Sequence, residues 1–185
     1  MCIRDRGKVR QIGLSNETPW GTMKYLELAE TKSLPRVASI QNAYNLVNRG
    51  FEIGLSEVAM HEQVGLLAYS PLAQGTLTGK YLGGQMPQGS RLALFGDGPL
   101  MMRYKGDKTQ QAIEMYVNLA KKYEIDPAQL AIQFCNIQPF VTSTIIGATT
   151  MEQLKTCIDS VDLDITKEIM NEIRGIHKEI PNPAP

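Results

Sequence analysis

Neither a G-x-G-x-x-G after a strand nor a P-loop occurs in this sequence, which removes the two commonest glycine-rich phosphate cradles. Net charge is absent too: 19 basic and 19 acidic side chains cancel. No broad nucleic-acid or anionic-membrane surface is therefore expected, and any phosphate affinity has to be local. No apolar run approaches the ~20 residues of a membrane span, and the first residues carry no signal-peptide hydrophobic stretch. Cysteine is scarce. Cys2, Cys135 and Cys157 are odd in number and lack metal-ligand spacing, so neither a disulfide framework nor a metal site is expected. Such usage suits a reducing compartment, with the cytoplasm as the expected location. Cys135 falls in an apolar helical stretch and reads as a buried free thiol. Histidine is scarcer still. His61 lies late in one predicted helix and His177 in the last, both far from the strand ends, and each reads as a surface or capping residue. Asp97 and Asp107 have no partner at a telling spacing. No acid–base pair is legible.

What the sequence does contain is enough for one domain with a sizeable core: 185 residues, 43% hydrophobic and 21% charged. The chain is organised around residues 66–81, Leu66-Leu67-Ala68-Tyr69-Ser70-Pro71-Leu72-Ala73-Gln74-Gly75 and on to Lys80-Tyr81. A short buried strand stops there at a polar loop. Pro71 rules out a further central ladder position. Gly75 and Gly79 let backbone amides come close to a ligand, and Lys80 adds a point charge. A ring, exposed amides and a lysine suit a phosphate-bearing aromatic ligand. Taken alone, the segment reads better as an ordinary core aromatic followed by an ordinary surface loop.

The rest of the chain alternates. Residues 9–14 predict a strand, followed by a helix with Thr18 as N-cap and Pro19 at its first position. That helix carries Trp20, Met23, Leu26 and Ala29 on one face. Residues 37–41 predict a second strand, residues 42–50 a polar loop, and residues 52–63 a helix with Ile53, Leu55, Val58 and Ala59 toward the core. After the strand at 65–69, residues 82–107 form a long irregular segment, of the kind that is usually functional or mobile. Helices are expected at 108–123, with Ala112, Met115, Tyr116, Leu119, Ala120 and Tyr123 on one stripe, and from Asp126-Pro127 to Gln138-Pro139. Residues 141–146 predict the fourth strand. Thr149 with Glu152, or Thr150 with Gln153, opens a helix to residue 160 through one of two capping-box registers. A last helix covers 166–179, and the terminal Pro-Asn-Pro-Ala-Pro frays. Strands separated by helices imply a parallel α/β architecture, with the strand C-termini on one ligand-binding face. That face would collect Ser15-Asn16, Gln41-Asn42, Tyr69-Ser70 and Gly147-Ala148-Thr149. Lys80 and Arg91 read equally as phosphate clamps or as solvated surface charges.

Four motifs stand in a familiar order: "IGLSN", "IQNAYNLVNR", "LLAYSPLAQGTLTGKY" and "IIGATTMEQLKTCI". In sequence and spacing they resemble the aldo-keto reductases, most of all the branch holding the potassium-channel β subunits and the Tas-type bacterial reductases. The resemblance runs from Gly7 to the C-terminus and leaves residues 1–6 as an unmatched leader. It implies the second half of a (β/α)8 TIM barrel, about four parallel strands with flanking helices. It also implies NADP(H) as cofactor and reduction of aldehydes or ketones by hydride transfer, with a small carbonyl substrate in the full-length protein. By motif, Ser15, Asn16 and Gln41 match the contacts of the nicotinamide carboxamide, and Tyr69 the aromatic that stacks on its ring. Ser70, Leu72 and Gly75 match the pyrophosphate loop, and Lys80 and Arg91 its basic clamp. Gly147, Thr149 and Gln153 match the hold on the adenosine 2′-phosphate and adenine.

Two departures stand out. Cys157 occupies the place of an asparagine that contacts adenine in the family, and a thiol lacks the paired donor and acceptor of an amide. The family's catalytic tyrosine, lysine, aspartate and histidine belong to the first half of its barrel, so no residue here is assigned a catalytic role. A half-barrel leaves two sheet edges unpaired and one apolar face uncovered, so self-association through those edges is expected. The alternative to an oxidoreductase half is a non-catalytic half-barrel that binds a nucleotide or a partner and must dimerise. No nucleic-acid or membrane partner is expected.

Overall fold

The computed structural model describes residues 7–96 and 98–185; the leader with Cys2, and Asp97, lie outside the described residues. Four strands, β1 (Ile12–Ser15), β2 (Val37–Ala43), β3 (Gly65–Tyr69) and β4 (Val141–Thr144), form one sheet in the order β1-β2-β3-β4. Every neighbouring pair is parallel. The crossovers are α1 (Pro19–Thr31) and α2 (Leu55–Glu62). Between β3 and β4 run the short α3 (Arg91–Phe95) and α4 (Pro99–Met102), then α5 (Asp107–Lys122) and α6 (Pro127–Asn136). The chain ends with α7 (Met151–Asp159) and α8 (Lys167–Glu179). Four sequentially adjacent parallel strands with helical crossovers are half of a (β/α)8 barrel.

Local chemistry sets most boundaries. Thr18 Oγ1 accepts the Gly21 amide at 3.0 Å, and Pro19 opens α1. Asp126 accepts the amides of Ala128 and Gln129 at 2.7 and 3.2 Å ahead of Pro127. Thr150 and Thr166 cap α7 and α8 through the amides of Gln153 and Ile169. In α5 the buried residues are Thr109, Ala112, Ile113, Tyr116, Val117, Leu119 and Ala120. That stripe is wider than the expected one, and Met115 and Tyr123 sit at its margin. β1 and β4 are shorter than the sequence suggests, β3 has the expected bounds, and β2 runs on to Ala43. Pairing of β1 starts only at Ile12, where the register shifts, and β4 ends at Thr144 although the Ile145 amide still donates to Ala68 O at 2.8 Å.

In a parallel sheet, paired residues share a face. One face places Leu14, Ile40, Leu66 and Ala68 against the helices, where Ile40, Leu66 and Ala68 are buried in the core. The other carries Gly13, Ser15, Ser39, Gln41, Ala43, Gly65, Leu67, Tyr69 and Ser143. Apart from Leu67 and Tyr69 this concave face is small or polar, not the broad apolar surface expected of an uncovered half-barrel. The exposed apolar side chains lie instead on the flanking helices. α1 packs on α2 and β2 through Leu26 and Ala29, while Trp20 and Met23, expected on the same face, are exposed, Trp20 by 76%. At the other edge Ile145, Ile146, Met151, Ile158 and Val161 are exposed.

Three segments depart from expectation. Residues 42–50 are not a surface loop: Tyr44, Asn45, Leu46 and Val47 are each at most 1% exposed. The Tyr44 ring stacks on Phe134 at 5.7 Å and meets Phe140 edge-on at 5.3 Å. A 3₁₀ turn over Gly50–Glu52 then delays α2 to Leu55, which puts Ile53 in solvent and Leu55 and Ala59 in the core. The irregular 82–107 segment contains α3, α4 and a 3₁₀ turn. The C-terminal tail does not fray. Asn182 Oδ1 accepts the Arg49 amide at 2.7 Å, the Ala184 amide donates to Val47 O at 3.1 Å, and Thr109 Oγ1 donates to Pro183 O at 2.8 Å. Ala184 is buried as a result.

Candidate cofactor site at the strand C-termini

The strand ends converge as the parallel topology requires. Ser15 pairs with Gln41, Gln41 with Leu67, and Ala43 with Tyr69. Just beyond β1, the Asn16 amide donates to Gln41 O at 3.0 Å, and Asn16 Nδ2 donates to Ser15 Oγ at 3.2 Å. Asn16 sits in the left-handed region (φ 55°), a conformation asparagine tolerates better than most residues with a Cβ. The Tyr69 hydroxyl crosses from β3 to donate to Asn16 Oδ1 at 2.7 Å. Ser15, Asn16, Gln41 and Tyr69 are thus one connected group on the open rim of the sheet.

After Tyr69 the backbone turns left-handed repeatedly. Ser70 (φ 55°), Ala73 (φ 49°), Gln74 (φ 60°) and Gly75 (φ 90°) all have positive φ. Three consecutive left-handed residues, two of them not glycine, are a concentration of backbone strain of the kind that collects at ligand loops. Gln74 Nε2 donates to Ser70 Oγ at 2.9 Å, and the Gly75 amide donates to Leu72 O at 2.8 Å. Lys80 folds back on this turn: a Cβ at Gly75 would lie 3.0 Å from both Lys80 Cε and Nζ. The ammonium also sits 5.2 Å from the Tyr81 ring centroid. Ser70, Leu72, Gly75 and Lys80 are therefore brought together. Arg91 is exposed at the first position of α3, and no hydrogen bond or ion pair in the described residues joins it to that group.

The β4 end forms a second part. A shallow cavity of about 300 Å³ is lined by Ile146, Gly147, Ala148, Thr149, Met151 and Leu154, together with the N-cap Thr150. Of the two capping registers, the second forms, in a modified way. Thr150 Oγ1 takes the Gln153 amide, while Gln153 Oε1 reaches past the N-cap to accept from Thr149 N and Oγ1 at 3.0 and 3.1 Å. Gly147 and Thr149 line the cavity and Gln153 buttresses it. Cys157 is buried and does not line it; burial, with Asp126 nearby, pushes its thiol up. Another cavity, of about 220 Å³, is lined by Thr76, Tyr81, Leu92, Met101, Tyr104 and Gln110 among others and holds none of the expected cofactor residues. It borders the loop after β3, since Tyr81 lies beside Gly75 and Tyr104 interacts with Tyr69 and Asn45.

Asn45 and Gln74 escaped the sequence reading as site residues, and Asn42 was read only as a strand end. Asn42 Nδ2 donates to Glu17 O at 3.2 Å, leaving its Oδ1 buried without a partner. Asn45 is fully buried and reaches Ser70. The only signal for either was amide side chains recurring in "QNAYN". Gln74 carries no signal beyond its place in the loop.

The family model described as "Aldo/keto reductase family" matches residues 3–178. The chain belongs to the aldo/keto reductase family. "Protein tas" of Escherichia coli (strain K12) is 51% identical over 97% of this chain and 51% of its own length. "L-glyceraldehyde 3-phosphate reductase" of the same strain is 33% identical over 84% of this chain and 45% of its own length. A "Probable voltage-gated potassium channel subunit beta" of Oryza sativa subsp. japonica is 35% identical over 64% of this chain and 37% of its own. These relatives place the chain in the Tas and channel-β branch of the aldo/keto reductases. The chain spans about half the length of the Tas relatives it matches. Among the described residues no helix is long and apolar enough to cross a membrane.

Proposed function

We propose that these residues form the NADP(H)-holding half of an oxidoreductase that reduces aldehydes or ketones, working in the cytoplasm. The observation that carries the reading is the Tyr69–Asn16 hydrogen bond, which joins a ring and an amide at two strand ends beside a left-handed loop. The residues present fit the cofactor. Ser15, Asn16 and Gln41 offer hydroxyl and amide groups to a carboxamide, and Tyr69 offers a ring face. The Ser70–Gly75 turn and the Lys80 ammonium suit a pyrophosphate, with Arg91 as the second cation. Gly147, Thr149 and Gln153 line or brace the cavity assigned to the adenosine end. When bound, the cofactor supplies the hydride. The chain's own residues bind and orient it and shape one wall of the site. A small carbonyl compound is the substrate class, in keeping with the relative L-glyceraldehyde 3-phosphate reductase of E. coli.

No tyrosine, lysine or histidine here matches a catalytic position of the family. Reduction of a carbonyl needs a proton donor to the developing alkoxide, so these 185 residues alone bind the cofactor without turning over an aldehyde. Fluorescence titration with NADPH tests the binding: saturable quenching that Tyr69→Ala abolishes supports it, and no binding by the wild-type chain sinks it. Saturable aldehyde-dependent NADPH oxidation by the purified chain, lost in Tyr69→Ala, would overturn the claim of inactivity.

A second reading has its own observation. Both sheet edges are open and the flanking helices expose Trp20, Met151 and Val161, which suits a half-barrel that binds a nucleotide or partner without catalysis and self-associates. A monomer by size-exclusion chromatography that takes up no NADPH argues against this reading.

A further inference from the structure

Asn45 is polar, 0% exposed and outside the group expected to touch a cofactor. Its side chain bonds in two separable directions, to its own turn and to Ser70, and it also hydrogen-bonds the buried Tyr104 phenol. Oδ1 accepts the amides of Val47 and Asn48 at 3.0 and 2.9 Å, closing a turn that Asn45 and Asn48 also close through reciprocal backbone bonds of 3.0 and 3.1 Å. Nδ2 leaves the turn and donates to Ser70 O at 3.0 Å. Ser70 is the first left-handed residue after β3, and a residue with a Cβ stays there only where its surroundings over-determine it. Its carbonyl also accepts the Ala73 amide at 2.9 Å, so the oxygen that Asn45 holds is the one on which the next turn is built. One residue earlier, Tyr69 O accepts the Tyr44 amide at 3.3 Å.

The turn carrying Asn45 is itself gripped from outside. Arg49 N donates to Asn182 Oδ1, Val47 O accepts from Ala184 N, and Pro183 O accepts from Thr109 Oγ1. A continuous path of hydrogen bonds therefore runs from the C-terminal strap through the 45–49 turn to Ser70.

We propose that Asn45 is a positioning residue that holds Ser70 left-handed, and thereby presets the Tyr69 ring and the Ser70–Gly75 amides, with residues 182–184 as the strap that keeps it seated. This rests on the assignment of that loop to the cofactor. Its physical content is preorganisation: a loop already held in its binding shape loses less freedom when a ligand arrives.

Asn45→Asp separates the two tasks. It keeps an acceptor for the Val47 and Asn48 amides and removes the donor to Ser70 O at neutral pH. Hydrogen exchange by mass spectrometry on the cofactor-free 185-residue chain should show protection at residues 70–78 falling about tenfold, the range expected when a buried carbonyl loses its donor. Protection across 45–49 should fall less. Burial raises the introduced carboxyl and the Val47 and Asn48 amides lower it; once acid protonates it, it regains an O–H donor, so protection at 70–78, corrected for intrinsic exchange, should return toward wild type as pH falls. General loosening of the core would show no such rescue. Asn182→Ala approaches the path from outside and leaves the buried turn intact in sequence. It should lower protection at both 45–49 and 70–78, by about threefold at the latter, the loss of one ordinary hydrogen bond. NADP⁺ affinity measured by calorimetry should fall about tenfold in Asn45→Asp. Unchanged protection at 70–78 in both variants overturns the proposal, as does its remaining unchanged in Asn182→Ala if Asn45→Asp does not fold. Failure of the wild-type chain to bind NADP⁺ would remove the cofactor reading, while the exchange pattern would still decide whether Asn45 positions the loop.

Discussion

Tyr69 and Asn16 stand 53 positions apart in sequence and are joined by a 2.7 Å hydrogen bond from the phenol hydroxyl to the amide oxygen. The bond ties the end of β3 to the end of β1 across the intervening β2. It gives Tyr69 two roles that mutation can separate, a ring surface and an anchor for Asn16.

Tyr69→Phe keeps the ring and loses the anchor. Stability should change by less than about 1.5 kcal/mol, the usual worth of one part-exposed hydrogen bond. NADPH affinity should fall by less than about tenfold, whereas Tyr69→Ala should bring it below detection. Fluorescence titration of both variants beside a denaturation curve checks the split. Equal losses in Phe and Ala would place the whole effect on the hydroxyl.

Gly75→Ala should cost about 1–2 kcal/mol of folding stability, because φ is 90° there and left-handed backbone penalises a Cβ. The new methyl would also press on the end of Lys80, 3.0 Å away. Weakened NADPH binding with a steeper salt dependence than in Lys80→Ala would show that the glycine matters for more than the lysine. Urea denaturation and titration at two ionic strengths measure both.

Glu52 accepts from the Tyr44 hydroxyl at 2.6 Å and from Arg49 Nε and Nη2 at 2.7 and 2.8 Å, and the Arg49 guanidinium lies over the Phe134 ring. Arg49 Nη1 is buried without a partner. Glu52→Ala would leave a largely buried guanidinium with no counter-charge, at a cost of about 3 kcal/mol. Tyr44→Phe should cost only about 1 kcal/mol. In the double mutant the two losses should add to less than their sum, because the groups share a partner. Strict additivity would mean the cluster is not cooperative.

Acid should weaken the fold through the same cluster. Burial, and then the Arg49 guanidinium, hold His177 below the usual 6.5 of imidazole, with Glu52 pulling the other way. Burial would raise the Glu52 carboxyl, but its hydrogen bonds from Arg49 and Tyr44 prevail and hold it below the usual carboxylate range. Between the usual imidazole pKa and the lowered one, the unfolded chain binds a proton that the folded chain refuses, so stability falls as pH drops from about 7 toward 5. The Glu52 contribution is lost at lower pH still. Melting temperatures of wild type and His177→Gln across this range should converge at acid pH, with the variant showing the flatter profile. Parallel profiles would assign the acid loss elsewhere.

What could be read from the sequence was the chemistry that acts over three or four residues. Thr18-Pro19, Asp126-Pro127, Thr150 and Thr166 announce helix starts because a cap needs only its own first turn. The β3 strand and its loop were legible because Pro71, Gly75 and Gly79 punctuate them. What stayed hidden depends on partners far along the chain. Ala184 looks like a fraying end until Val47 accepts its amide, and the buried Asn45 looks like loop material until Ser70 appears opposite. Trp20 looks like core because periodicity shows which residues share a stripe but not which stripe is covered. Cys157 was placed by motif beside the adenine, and the helix turns it inward. The groupings of the candidate site followed from parallel topology, since Ser15, Gln41 and Tyr69 had to meet at one end. The Asn16–Tyr69 bond and the Asn45 brace could not be foreseen without the register.

The concave face of the sheet bears on what can complete a barrel. Gly13, Ser39, Gly65 and Ser143 take up little of the interior, while closed barrels of this kind fill theirs with layers of bulky branched side chains. Gln41, Leu67 and Tyr69 fill more of the layers nearer the strand C-termini, so the small layer is that of Gly13, Ser39 and Gly65. A second copy of the chain would bring the same small layer with it. A complement with leucine, isoleucine or valine pointing inward there would fill the space, and a symmetric pair would leave it hollow.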